Sequence, residues 1–598
     1  MSERAGPVRR AAVFLIPAAL VALGWSARAF AGRAFEAFTF YPTPYSSLAR
    51  APQAPGPPLT PRVVLVLLDG LGLQPSRSLP FLNELRGRGA SFDCRIGQPS
   101  LSLPGRAVLM SGAWQEVNGQ TTNYHPHPLE VEHIFALAAG AGRATALAAG
   151  AKAQLLFTPH VGRQAVYPED LESAPFAHYE QTLRADTAAA DALLQATPSG
   201  FVFLDLDLVD EAGHGWGAAS PEYAQAALEV DAGVRRLASH LDLARDTLVV
   251  TADHGHVAAG GHGGPEPEVM DVPLVLVGRA VRPGVSGAAA QVDVAPTLAV
   301  LLGLPQPAAA QGRPLLEALV LSDGDRMRAL GNAVLQRRAF VQDYARTLER
   351  LPLGAFESIP RFRWRGDEPP ILAEPVGGDP AVLEGELQTL RGQEAQVKAG
   401  RAERERGARL GRALTLAAAP LVLLGLLGAL RVFGWDEAAG AAGAALAAVL
   451  AYHLLLPLLG LRYSLTAVNK DEWLQPFFMK DMVAAVACAA LAALALCVVA
   501  RRGGRGATLV DGLRLAWLCA AFFCTVLLLE VAFIYARFEV FPTWALPDQA
   551  WGMAFYMHTL GVMAVGLTAP VFALAALAAR AVPGPAPLVR GRPAGRRP

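Results

Sequence analysis

The stretch Val63-Val-Leu-Val-Leu-Leu-Asp-Gly70 contains six consecutive apolar residues and ends in an aspartate and a glycine. A short continuous apolar run of this kind is typical of a strand buried on both faces of a parallel sheet. Three further runs have the same character, at 200–206, 247–251 and 273–278. Helical patterns separate the runs, so the sequence predicts an α/β domain over 61–320 with a doubly wound, mostly parallel sheet.

Polar residues follow three of these runs directly or within one helical turn. Asp69 follows the first run, Asp210 the second, and Asp253 and His254 the third. Ligands of open α/β sheets bind beyond the carboxyl ends of the strands, so we expect these side chains to converge. The remaining donors are Ser102, His214 and His262. Three carboxylates, three imidazoles and one hydroxyl can form two adjacent divalent-metal sites, and such a pair can clamp an in-line displacement at phosphorus.

The order of these donors resembles the alkaline phosphatase superfamily, and is most similar to the type I phosphodiesterase/nucleotide pyrophosphatases and the GPI ethanolamine phosphate transferases. The motifs that carry the similarity are Ser102-Leu-Pro-Gly-Arg106, Asp210-Glu-Ala-Gly-His214, Asp253-His-Gly255 and the glycine loop around His262. The resemblance implies an enzyme that transfers a phosphoryl group through a serine nucleophile and a phosphoseryl intermediate. The substrate would be a phosphate ester linked to a lipid or glycan.

The resemblance also implies roles for individual residues. Two metal sets follow from it, the first of Asp69, Ser102, Asp253 and His254 and the second of Asp210, His214 and His262. Zinc suits a set of carboxylate and imidazole donors without thiolate, and manganese and iron are alternatives. Asn123 matches an asparagine that binds a phosphoryl oxygen, with an ordinary Asx turn as the competing interpretation. His256 is interpreted as a bystander.

Other interpretations of the same motifs remain open. Ser102 alone would more often be a helix cap than a nucleophile. The segment Ser102-Leu-Pro-Gly-Arg106 also resembles the sulfatase signature, in which the first residue is modified and a single calcium ion is bound. A third alternative is a catalytically silent membrane scaffold, although every expected ligand position is filled.

Composition indicates a membrane protein, because 53% of the 598 residues are hydrophobic and only 17% are charged. Apolar runs that could span a bilayer lie at about 413–433, 438–461, 482–500, 513–535 and 552–579. The net charge of zero gives no indication of a nucleic-acid partner. The five cysteines show no disulfide framework. The sequence gives no signal on oligomeric state.

These patterns divide the chain into six segments. We expect an N-terminal anchor or signal peptide at 1–32, a Pro/Ala-rich linker at 33–60, the catalytic domain at 61–320, a charged helical connector at 321–410, a transmembrane domain of about five helices at 411–582 and a basic cytoplasmic tail at 583–598. The arginines after 500 and in the tail place the catalytic domain on the non-cytoplasmic side. Arg401 to Arg412 disagree with this orientation.

Three ionisable residues fall within the expected spans, namely His453, Glu530 and His558. Such groups are costly inside a bilayer and often have a function. We therefore expect them to line a groove that holds a lipid headgroup, with a position near the span ends as the alternative.

Overall fold

The computed structural model describes residues 5–48, 50–167, 176–353, 379–469, 474–503 and 508–582. The expected basic tail at 583–598 lies outside the described residues, as does 354–378 of the expected connector. Within the described part, eight strands form one sheet: β1 (Arg62–Leu68), β2 (Ala90–Arg95), β3 (Thr145–Gly150), β4 (Arg163–Tyr167), β5 (Gly200–Leu206), β6 (Thr247–Thr251), β7 (Asp271–Gly278) and β8 (Ser286–Ala290).

The sheet has the order β4-β3-β5-β1-β6-β7-β2-β8. Strand β1 lies between β5 and β6 and is parallel to both, and every residue of β1 and β5 is buried. Only β7 runs against its neighbours, since it is antiparallel to β6 and to β2. The predicted doubly wound, mostly parallel sheet is therefore confirmed.

Helices cover this sheet, and further helices precede β1 and follow β8 in the chain. The described helices up to residue 350 are α1 (Ala5–Thr39), α2 (Leu73–Ser76), α3 (Pro80–Arg88), α4 (Ser102–Ser111), α5 (Gln115–Asn118), α6 (Ile134–Gly140), α7 (Ala151–Phe157), α8 (Phe176–Ala196), α9 (Leu208–Trp216), α10 (Pro221–Ser239), α11 (Pro267–Met270), α12 (Val294–Leu302) and α13 (Asp323–Arg350). Helices α2, α3, α8, α9 and α10 contact one another, and α4, α6, α7 and α12 form a second group. The two groups cover the faces of the sheet and leave the strand ends for the site.

The C-terminal part is helical: α14 (Pro380–Ala429), α15 (Trp435–Leu458), α16 (Leu474–Arg502), α17 (Leu509–Arg537), α18 (Gln549–Leu567) and α19 (Val571–Ala581). Among the described residues, six helices are long and apolar enough to cross a membrane, namely α1 and α14 to α18. The expected single span at 552–579 is wrong, because it divides into α18 and the short α19. Pro570 lies at the division, where a proline ring interrupts helical hydrogen bonding.

Two expected boundaries also differ in the structure. Helix α1 continues to Thr39, beyond the expected limit at 32, and ends before Pro42 and Pro44. The expected limit at 410 falls inside α14, which runs unbroken from the charged connector into the apolar span. Arg401 in this helix is buried and donates to the carbonyls of residues 348 and 351. The charge of Arg401 therefore has a structural role. The positive-inside rule counts cations in loops and does not take such a buried cation into account.

Candidate active site

The carboxyl ends of three adjacent strands bring the predicted donors together. Asp69 follows β1, and Asp253 and His254 follow β6 after one intervening residue. Asp210 and His214 lie one turn apart in α9, which begins two residues after β5. His262 lies in the glycine loop beyond β6, where its Nδ1 is 3.0 Å from the Ser100 carbonyl oxygen. The convergence expected from the sheet topology is thus present in the structure.

Ser102 is the first residue of α4 and does not cap it, since the preceding Leu101 occupies the cap position. Its hydroxyl oxygen lies 3.1 Å from His254 Nε2. The exposed N–H groups of a helix N-terminus favour a bound anion, so a phosphoryl group beside Ser102 would be in a favourable place. Gly105 allows α4 to lie this close, because a Cβ atom there would be 2.8 Å from the Asp253 Cβ.

The donor atoms form two overlapping groups. In the first, Asp69, Asp253 and His254 place their donor atoms within 4.8 Å of one another, and all three side chains are buried. In the second, His214 Nε2 lies 3.3 Å from Asp210 Oδ2 and 3.2 Å from His262 Nε2. This division agrees with the two sets that the resemblance implies, except that Asp210, His254, His256 and His262 also place donor atoms within 4.8 Å of one another, so that the groups share His254.

His256 belongs to this site, although the sequence interpretation treated it as a bystander. Its Nε2 lies 2.7 Å from Asp210 Oδ1, and its Nδ1 accepts a hydrogen bond from Gly261 N–H. Because Nδ1 accepts, Nε2 carries the proton and donates it to Asp210, which orients that carboxylate. Gly213 makes room for the ring, since a Cβ atom there would be 2.5 Å from it. The glycine in the Asp210-Glu-Ala-Gly-His214 motif was the available sequence signal.

Arg106 is a second residue that the sequence analysis did not assign. Its buried guanidinium donates to Asp69, to Asp205 Oδ2 at 2.7 Å and to Asp253 Oδ2 at 3.2 Å. One cation therefore serves three buried carboxylates, and the charge of Asp210 also acts on Asp69 and Asp253. This arrangement leaves an excess of negative charge that divalent cations would offset.

The electrostatics of four of the donors fit divalent ions. Burial raises the pKa of Asp69 well above its ordinary value despite the neighbouring Arg106, and burial likewise raises the pKa of Asp253 to about 7. Burial lowers the pKa of His262 to about 3 and that of His254 well below its usual range, so both rings are neutral and able to ligate. Asp69 Oδ1 is buried without a hydrogen-bond partner, as a ligand atom would be.

Asn123 lines the cavity beside Ser102, and its Oδ1 accepts a hydrogen bond from Leu103 N–H at 3.0 Å. The amide oxygen is thereby fixed at the start of α4, and the amide nitrogen is left to face a ligand. The expected phosphoryl contact remains a prediction, and the local Asx-turn alternative does not account for this bond to a residue 20 positions away.

A cavity of about 320 Å³ opens from these donors. One part of its lining is polar and includes Asp69, Ser102, Asn123, Asp210, His214 and His262. The other part is mainly apolar and comes from α1, α16 and α18: Phe35, Phe38, Leu474, Phe478, Met553, Phe555 and Tyr556. The cavity therefore joins the donor cluster to helices long and apolar enough to cross a membrane.

The helical part also contacts the donors directly. Asn469, in the loop after α15, accepts from His214 Nδ1 through its backbone carbonyl and donates its Nδ2 to the His214 carbonyl at 2.9 Å. Gln549, at the start of α18, donates to the carbonyl of Gly263 beside His262. These contacts join positions more than 250 residues apart, so no local pattern in the sequence could indicate them.

Replacing Asn469 with alanine is expected to weaken zinc binding by up to about 10-fold, because it removes the Nδ2 bond to the His214 carbonyl and the Oδ1 contact with His214 Nδ1 at 3.3 Å but keeps the backbone carbonyl that accepts from Nδ1. Competition between the purified full chain and a chromogenic chelator would measure the affinity. Arg462→Ala changes an exposed residue of the same loop and serves as the control. Equal zinc affinity in the two variants would contradict the assigned role of Asn469.

The three residues expected to line a lipid groove lie next to one another, but away from the cavity described above. His453 Nε2 and His558 Nδ1 are 3.2 and 3.3 Å from the Glu530 carboxylate. None of the three is among the residues that line the cavity described above. The apolar wall of that cavity comes instead from other positions of α1, α16 and α18.

Comparison with known proteins agrees with the geometry. Residues 63–263 match the model of one family, described as type I phosphodiesterase / nucleotide pyrophosphatase. The matched segment is similar to the type I phosphodiesterases. It begins in β1 and ends just after His262, and therefore includes every donor of the two predicted metal sets.

A similarity to one relative extends beyond the matched segment. The chain is 28% identical over 326 residues to the catalytic subunit of GPI ethanolamine phosphate transferase 2 from Homo sapiens, which covers 47% of this chain and 33% of that protein. The chain thus spans about a third of that relative's length. The predicted resemblance to both families is confirmed.

Solved structures of the alkaline phosphatase superfamily are also similar. The alkaline phosphatase PafA has a TM-score of 0.38 at 12% identity, covering 45% of this chain and 100% of the other. Murine ectonucleotide pyrophosphatase/phosphodiesterase 5 has a TM-score of 0.37 at 16% identity, covering 43% and 99%.

Proposed function

We propose that this chain is a membrane-embedded phosphotransferase that moves a headgroup phosphate between a lipid-linked donor and an acceptor alcohol. One observation carries the proposal: the Ser102 hydroxyl faces a buried Asp/His donor cluster inside a cavity whose other wall is made of apolar helices. A phosphate ester attached to a lipid has the matching chemistry, with a charged group beside a long apolar part. The relative's printed name supports an ethanolamine phosphate as the transferred group.

The two donor sets would hold two divalent ions, and zinc suits these donors best. Asp69, Ser102, Asp253 and His254 would hold the first, and Asp210, His214 and His262 the second. When bound, such a pair lowers the pKa of the attacking hydroxyl and offsets the charge that develops on the phosphoryl oxygens. Arg106 holds three of the surrounding carboxylates in place, and His256 does the same for Asp210.

The chain's own residues account for both halves of the transfer. Ser102 Oγ loses its proton and attacks phosphorus, the bond to the donor's alcohol oxygen breaks, and that oxygen takes up a proton as it leaves. The acceptor hydroxyl then loses its proton and attacks phosphoserine, and Ser102 regains a proton. Asn123 Nδ2 would donate to a non-bridging oxygen in both steps. Water in place of the acceptor gives hydrolysis.

The orientation of the chain is part of the proposal. Arg501 and Arg502 end α16, and the sequence after 582 is strongly basic. The positive-inside rule supports a cytoplasmic position for these ends, in which case the cavity would lie on the other side of the membrane. Cysteine labelling from outside intact cells, at a residue introduced near Trp216, would react in this orientation and fail to react in the opposite one.

The test is turnover by the detergent-purified full chain of a lipid phosphodiester with an ethanolamine headgroup, a phosphomonoester and a sulfate ester. Each substrate is run with zinc, with a chelator, and with or without an added glycan alcohol. We expect zinc-dependent cleavage of the phosphodiester that yields a new ester with the alcohol. Turnover of the sulfate ester alone would favour a sulfatase. No turnover and no bound zinc would favour a silent scaffold.

A further inference from the structure

Three ionisable side chains meet among the membrane helices, away from the cavity. We call His453 of α15, Glu530 of α17 and His558 of α18 the interior triad. Their donor atoms lie within 4.8 Å of one another. His558 is buried, whereas His453 and Glu530 are partly exposed. Three separate helices therefore supply one compact group of two imidazoles and one carboxylate.

A single tyrosine fixes the outward nitrogens of both imidazoles. The Tyr463 hydroxyl lies 3.1 Å from His453 Nδ1 and 3.0 Å from His558 Nε2. If each of these nitrogens donates to the hydroxyl oxygen, His453 Nε2 and His558 Nδ1 present lone pairs toward Glu530. Ligating histidines usually donate their second ring N–H to such an outer partner.

The inward atoms are placed as ligands would be. His453 Nε2 and His558 Nδ1 lie 3.2 and 3.3 Å from Glu530 oxygens. Ligand atoms bound at 2.0–2.1 Å to a tetrahedral zinc ion are about 3.3 Å apart, whereas a charge-assisted N–H···O bond is usually about 2.7–2.9 Å long. His558 Nδ1 is moreover buried without a hydrogen-bond partner.

We propose that the interior triad binds a third divalent transition-metal ion, separate from the catalytic pair and best suited to zinc. Two histidines and one glutamate are a ligand set that leaves one coordination position open for water or another oxygen donor. The ion would balance Glu530 in a region of low dielectric, where an unpaired carboxylate is costly. It would also join α15, α17 and α18 to one another.

The position of the interior triad agrees with an ion that enters from the catalytic side. His453 lies five residues before the end of α15, Glu530 seven before the end of α17, and His558 nine after the start of α18. At 1.5 Å per residue these positions are about 8–14 Å from the helix ends. Those of α15 and α18 face the α/β domain, which Asn469 and Gln549 contact there.

The test is the metal content of the full chain, purified in detergent and dialysed after loading with zinc. We expect about three zinc ions per wild-type chain. His453→Gln, Glu530→Gln and His558→Gln should each hold about one fewer, and the triple variant should also lose only one. Tyr452→Phe is the matched control, because it removes a buried hydroxyl of α15 that bonds to Asp481 outside the triad, and it should keep all three ions.

A second variant distinguishes zinc bound at this site from zinc bound at the catalytic one. It also shows whether zinc loss in the triad variants comes from the site and not from misfolding. Asp69→Asn combined with Asp210→Asn should retain one ion, which His558→Gln then removes. Cobalt bound to the double variant should show the visible absorption of a four-coordinate site. Retention of no ion by the double variant, or equal zinc content in wild type and all triad variants, would overturn the proposal. Unchanged zinc content on replacing Asp69 and Asp210 would contradict the catalytic assignment alone.

Discussion

Ser102→Ala is expected to reduce phosphoryl transfer at least about 10³-fold and to abolish labelling of the protein by a phosphate donor. The reason is that the hydroxyl is both the proposed attacking group and a ligand. The Ser102 hydroxyl lies 3.1 Å from His254 Nε2, inside the donor cluster. The rate would be measured with the lipid phosphodiester, and the intermediate would be trapped by acid quenching with a labelled donor.

Ser111→Ala is the matched control for this prediction. Ser111 lies at the other end of α4, and its buried hydroxyl bonds to the Ala107 carbonyl oxygen at 2.7 Å. This variant removes the same atom from the same helix without touching the site, so its rate should stay within about twofold of wild type. Full activity of Ser102→Ala, together with an unchanged phosphoenzyme, would rule out Ser102 as the nucleophile.

Arg106→Leu is expected to destabilise the chain by about 3–5 kcal/mol, because removal of one partner leaves buried charges uncompensated. Asp69, Asp205 and Asp253 would lose their shared cation. The effect should be larger in chelator-treated protein than in zinc-loaded protein, since bound zinc offsets part of the same charge. Thermal unfolding of the full chain in detergent, with and without zinc, would measure both differences.

Arg95→Leu provides the comparison for Arg106. Arg95 pairs with Asp271 at 2.8 Å, but both side chains are largely exposed, and exposed pairs contribute about 0–1 kcal/mol. A similar melting temperature for the two variants would show that Arg106 does not stabilise the buried carboxylates. Equal destabilisation with and without zinc would contradict the proposed charge balance.

The local pattern of apolar residues was sufficient to predict the central strands of the sheet. Strands β1, β5, β6 and most of β7 are mainly apolar runs, because they are buried in the centre of the sheet. Such runs are easy to recognise in a sequence. The other four strands were missed: β3 and β8 are rich in alanine and glycine, which have little strand preference, and β2 and β4 are partly exposed and contain charged residues. Asp69, Asp253 and His254 were found because each stands directly beyond such a run.

The residues that were missed act through distant partners. Arg106 stands next to the predicted nucleophile, yet its role depends on three aspartates from different strands. Asn469 reaches His214 across 255 positions, and nothing in its own neighbourhood distinguishes it. His453, Glu530 and His558 were recognised as unusual, but only the fold shows that they face one another and one tyrosine instead of the cavity.

Helix α14 has a mechanical consequence. Its 50 residues extend about 75 Å, more than twice the roughly 30 Å of a bilayer's hydrocarbon core. The half outside the core packs along α13 and is tied to the catalytic unit by the ion pair between Lys398 and Glu116. The helix therefore links the position of the catalytic unit to the membrane span with which it is continuous. On the proposed function, a phosphate that a long spacer holds far from its acyl chains would lie above Ser102 and should react slowly.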